Sequence, residues 1–185
     1  MQDGHDISPR DVLDFWFAAG KEKWFAKDDA FDAEITSRFK DAHRLARDGA
    51  FDGWQDSAEG ALALIILLDQ FPRNMFRGTP EMFQADPKCR EITRSALDHK
   101  FDAEVPQAAR QFVYMPLMHS EELEDQELCV KLFEADPALE DNVPYAIDHR
   151  DIVLKFGRFP HRNEILGRET TAEEQAFLDG GGFKG

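Results

Sequence analysis

The chain has 185 residues, of which 42% are apolar and 32% charged, and it carries a net charge of −15. This length and apolar content predict one domain, 1–185, with a proper core, and exclude a weakly hydrophobic disordered chain. The charge excludes nonspecific attraction to nucleic acid or to anionic membranes, which repel a negative surface at long range.

Ser8-Pro9 predicts the first helix, with serine as N-cap and proline at the first helical position. Val12, Leu13, Trp16 and Phe17 follow at helical spacing. The aromatics Trp16, Phe17, Trp24 and Phe25 read first as core packing and second as one wall of a groove. A helix over 30–47 buries Phe31, Ile35, Phe39 and Ala42, and Gly49 stops it. Ser57 caps the next, which contains the apolar run 61–68; its alanine and leucine content favours a buried helix over a strand. Helices follow over 87–99, 106–118 and 120–134. Pro116 should bend or end the second of these. Ser120 caps the third, with Glu121 and Glu122 in its first turn, where the helix dipole favours acids. A helix over 144–156 stops at Gly157. Thr170 and Glu173 form a capping-box pattern before the last helix, and Gly180-Gly181-Gly182 ends it in a flexible tail. No segment alternates as a strand does. The fold class is therefore all-α, with short connections that make neighbouring helices antiparallel pairs.

Cys89 and Cys129, the only cysteines, form no CxxC pair and read as reduced thiols of a cytoplasmic protein. The first residues lack the basic and apolar regions of a signal peptide, and the run 61–68 is far short of the roughly 20 residues that span a bilayer. Metal and cofactor sites are not expected. There is no HExxH and no glycine-rich phosphate loop, and His119-Ser120-Glu121 lacks the PCxxC that completes a zinc deaminase signature.

Two segments nearly match: Phe71-Pro72-Arg73-Asn74 and Phe159-Pro160-His161-Arg162-Asn163. Each follows a helix. Proline pushes the preceding phenylalanine out of helical geometry, so the chain is expected to turn at Phe71 and at Phe159. Asp69 and Arg73 are four apart and pair if the helix persists that far. Between His149 and Arg168 there are five basic residues against two acidic ones, a net of +3, which leaves −18 for the remainder. Arginine suits an anion, because its planar fork meets carboxylate or phosphate with two parallel hydrogen bonds. The competing reading is that these arginines hold helix ends and acids together.

The order Phe15-Trp16-Phe17, Trp24-Phe25, Leu67 to Asn74, Met118-His119-Ser120-Glu121 and Phe156 to Asn163 resembles the bacterial family called domain of unknown function 924. The resemblance covers nearly the whole chain. It implies an array of antiparallel helix pairs similar to tetratricopeptide repeats, with a concave face, although the tetratricopeptide consensus does not recur here at a regular period. It implies no reaction. Family members tend to end in small residues and a phenylalanine, whereas Phe183 here is followed by Lys184 and Gly185.

The leading expectation is a scaffold whose groove gathers Arg73, Asn74, Arg77, His119, Arg150, Arg158, His161, Arg162 and Asn163. Its partner would be a small anionic ligand or an acidic peptide. The alternative is an enzyme, a hydrolase or transferase, in which the same arginines clamp a phosphate or carboxylate. His119, His149 or His161 would then move a proton, oriented by Asp69 or Asp151. A lone histidine beside an apolar stripe, as at His149, is more often a satisfied core residue. The third reading is a protein-interaction module with an apolar groove.

Overall fold

The computed structural model describes residues 6–183. Every regular element among them is helical. None of these helices is long and apolar enough to cross a membrane. The chain divides into two compact units, Met1–Arg77 with Glu81–Pro116, and Gly78–Pro80 with Leu117–Gly185.

In the first unit α1 (Pro9–Ala19) opens with a full capping box between Ser8 and Asp11. The short α2 (Lys21–Trp24) follows, then α3 (Asp29–Arg47), whose N-cap Asp28 accepts from the amides of Ala30 and Phe31. Ser57 caps α4 (Ala58–Ile65) by accepting from the Gly60 amide. Every residue from Gly60 to Pro72 is buried, as befits a helix with no polar face. Gly60 is dictated by space, since a Cβ there would lie 2.0 Å from the Trp54 carbonyl oxygen. Around α4 pack α1 and α6 (Asp86–Asp98), while α3 packs on α5 (Phe71–Met75). The rings of Trp16, Phe39, Phe71 and Phe112 fill the centre at edge-on or tilted angles. Trp16 is fully buried, Trp24 stacks on it at 5.9 Å, and Phe25 is exposed.

The expected turn at Phe71 is not there. Phe71 is helical (φ −59°, ψ −39°) and the chain stays helical through Pro72 to Met75. What gives way is the preceding turn, Ile66–Gln70, which is wound as a π-helix with the Phe71 amide bonded back to the Ile66 carbonyl. Widening the turn accommodates proline without breaking the helix. It leaves carbonyls to be met by side chains. His43 Nδ1 lies 2.9 Å from the Leu67 oxygen, and Arg73 donates to the Asp69 oxygen at 2.7 Å.

After α7 (Phe101–Glu104), helix α8 (Gln107–Met118) runs two residues beyond Pro116, which therefore does not end it. In the second unit, Gln126 Nε2 lies 2.6 Å from the carbonyls of both Met118 and Ser120, holding the chain at the end of α8. Helix α9 spans Leu123–Ala135. Ser120 is not its cap. Glu122 is extended, and the Ser120 hydroxyl instead accepts from the Glu122 amide and bonds Asp125. Helix α10 (Val143–Phe156) packs on α9 and ends at Gly157 in the left-handed conformation (φ 70°), as expected. Phe159 is extended, so this second matched segment does turn before Pro160–Arg162. Helix α11 (Ala172–Asp179) starts from a capping box one residue later than the sequence suggests, Thr171 with Glu174. Phe159, Ile152 and Val153 form a core with Leu123, Phe156 and Phe177.

Candidate functional site

In the first unit, the arginine and the asparagine of the matched segment, and Arg77 beyond it, are engaged by acids. Arg73 forks onto Asp86 with both contacts at 3.2 Å and lies 3.3 Å from Asp69. Burial works against its charge, but Asp69 and Asp86 outweigh this and raise its pKa. The Asp69–Arg73 pair is thus formed, and Gln70 also donates to Asp69. Asn74 donates to Asp32, and Arg77 forks onto the same carboxylate at 3.0 and 3.1 Å. Asp32 and Asp86 sit in the first turns of α3 and α6. These contacts tie α5 to α3 and α6.

The second unit treats most of its basic residues the same way. Arg158 forks onto Glu174 at 2.6 and 2.8 Å, and Asn163 donates to the same carboxylate. The hydrogen bond from Arg158, with that from the Thr171 amide, overcomes burial and holds Glu174 down to about 2. Arg168 forks onto Glu121 at 2.7 and 2.9 Å, and Glu121 also accepts from the Phe159 amide. Arg150 bonds its exposed neighbour Asp151. The basic stretch read from the sequence is therefore largely neutralised by Glu121 and Glu174, which the fold brings from outside it.

A different cluster remains. Arg162 is 7% exposed, donates to the main-chain oxygen of His119 at 2.9 Å, and lies 4.6 Å from the centre of the Phe159 ring. The Phe159 ring in turn meets His149 at 5.5 Å and His161 at 5.6 Å. Phe183 meets the same two imidazoles, at 4.6 and 5.1 Å. His149 is buried on α10, its Nδ1 2.7 Å from the Tyr145 carbonyl, so Nδ1 carries the hydrogen and Nε2 keeps its lone pair. His161 Nδ1 is buried with no hydrogen-bond partner. Burial, then the positive charge of Arg162, pushes His161 down to about 4. Burial likewise takes His149 to about 4, with His119 and Arg162 adding to the shift. Both rings are neutral at pH 7.

Of the residues expected to share one groove, His119, His161 and Arg162 meet in this cluster, together with His149, a candidate of the enzyme reading. Arg73, Asn74 and Arg77 belong to the other unit. Sequence reasoning missed Glu121, Glu174, Asp32 and Asp86 as the partners of its arginines. Their only signal was a helix-start position, which does not say which distant arginine an acid will meet. It also missed Phe183, read as tail. The two cysteines are buried, and burial raises the pKa of both thiols, which disfavours the thiolate. Among the described residues no three His, Cys, Asp or Glu side chains are placed to hold a metal.

A family model described as a bacterial protein of unknown function, DUF924, matches residues 12–182. No curated protein matches the chain. Among solved structures it is similar to the protein of unknown function ATU0120 from Agrobacterium tumefaciens, at 45% identity over 93% of this chain and 97% of that one, with a TM-score of 0.86.

Proposed function

We propose, for a chain that belongs to the bacterial DUF924 family of unknown function, that it is a helical scaffold holding a small anion against Arg162 and His161. The observation that carries this is the buried His161 Nδ1 without a hydrogen-bond partner, beside a buried guanidinium. An unsatisfied buried polar atom costs about 1–3 kcal/mol. An anionic oxygen would remove that cost by accepting from the Nδ1–H tautomer and would gain the Arg162 charge as well. Helices α9 and α10, packed on each other across the short turn at 137–142, are the kind of pair that tetratricopeptide arrays repeat.

The enzyme reading survives in a narrower form, favoured by the His149 tautomer, which leaves Nε2 as a base. A base near 4 is weak at pH 7. An anion on Arg162 would offset the guanidinium charge and raise it, so binding would prime the base. Asp151 has no part in this reading, being engaged with Arg150 at the surface.

Thermal shift with inorganic phosphate, acetate and a short acidic peptide tests the binding. At least one should raise the Tm of the wild type and of Arg77→Gln, but not of His161→Phe or Arg162→Gln. Equal shifts in all four proteins would refute the assignment.

A further inference from the structure

The C-terminal segment is placed with more care than a glycine run requires. After α11 the amides of Gly180 and Gly182 bond back to the carbonyls of Ala176 and Phe177, and Gly181 takes a left-handed conformation (φ 85°). Gly182 lies directly on the Phe177 ring, where a Cβ would approach its carbons to 2.5–2.7 Å. Phe177 itself packs on Phe156, at 5.2 Å, and on the core around Phe159. The path thus fixed delivers Phe183 onto His149 and His161, with the residue still 39% exposed. A large apolar residue left partly exposed against two imidazoles gains less than full burial provides. Phe183 lies outside α11 and meets both imidazoles from there.

We infer that Phe183 occupies an aromatic subsite of the anion site, and that the natural guest is an aromatic carboxylate that displaces it. This rests on the anion reading above. The guest's ring would take the place of the Phe183 ring between His149 and His161. Its carboxylate would meet His161 Nδ1 and the Arg162 guanidinium, which lies on the Phe159 ring that both histidines touch. The seated tail lowers apparent affinity by the fraction of time it stays closed.

Calorimetric titration of wild type, Phe183→Ala and Gly182→Val with phenylacetate and with acetate provides the test. Carbethoxylation of His149 and His161, followed by mass spectrometry, is read alongside. Both variants should bind phenylacetate about tenfold more tightly than wild type, as expected if the seat is filled nine-tenths of the time. Acetate should bind all three proteins alike and more weakly. Both histidines should be modified faster in the variants. If phenylacetate gains nothing over acetate, or nothing from opening the tail, the aromatic subsite is refuted while the anion site stands. Binding of neither acid by any of the three proteins overturns both readings.

Discussion

His149 and His161 sit in an environment that a sequence does not display. Both are held neutral with pKa values near 4, His149 mainly by burial and His161 by burial and then Arg162. Their ordinary value is 6.5. Because folding depresses them, the unfolded chain binds the extra protons first. The stability they contribute is complete above pH 6.5 and is lost as the pH falls towards 4, with each histidine adding about 1.4 kcal/mol per pH unit inside that window. His119, Arg162, Arg168 and Glu121 are the charged or titratable groups that act on this pair, and Glu174 responds lower, below 4.5. Urea midpoints measured from pH 7.5 to 4 should fall steeply for the wild type and less steeply for His149→Leu. Parallel curves would count against the buried neutral pair. The candidate histidines were legible in the sequence by type. Their burial was not, because it depends on Phe159 and on Phe183, which lies 22 to 34 positions away from the two imidazoles.

At the level of elements, the two matched segments solve the same local problem differently. Phe159-Pro160 follows a helix already stopped by Gly157, so the chain is free to turn. Phe71-Pro72 has no glycine before it, and the buried run from α4 continues by winding one π-turn. The motif alone does not separate these outcomes; the residue that ends the preceding helix does. The π-turn also explains His43, a buried histidine on α3 that gave no sequence signal. It is neutral because burial lowers its pKa, and it donates to the Leu67 oxygen. His43→Leu should leave that carbonyl buried and unmet, at a cost of about 1–3 kcal/mol, read as a lower Tm with secondary structure intact. A Tm equal to the wild type would mean that the carbonyl finds another donor. Helix identity was read well from caps and apolar spacing, as at Ser8, Ser57 and Gly157. Starts slipped where an extended residue intervenes, as Glu122 does after Ser120.

For the whole molecule, the charge pattern changes meaning once the chain is folded. A stretch with net +3 in a chain of −15 suggests an exposed anion-binding surface. In the fold, Glu121 takes Arg168 and Glu174 takes Arg158, while Asp86, Asp69 and Asp32 take Arg73 and Arg77. Arg73, Arg77 and Arg158 are ion-paired to acids of other segments, and the anion site proposed here lies around Arg162 and the histidines of one unit. Sequence pattern shows which residues are cationic; tertiary pairing decides which acid each of Arg73, Arg77, Arg158 and Arg168 meets. The decisive measurement is the His161 pKa, followed by NMR of its ring protons with and without saturating phosphate. An anion seated between Arg162 and His161 Nδ1 must raise it from about 4, since it accepts from the imidazolium and offsets the guanidinium. A His161 titration that phosphate leaves unmoved would contradict the site.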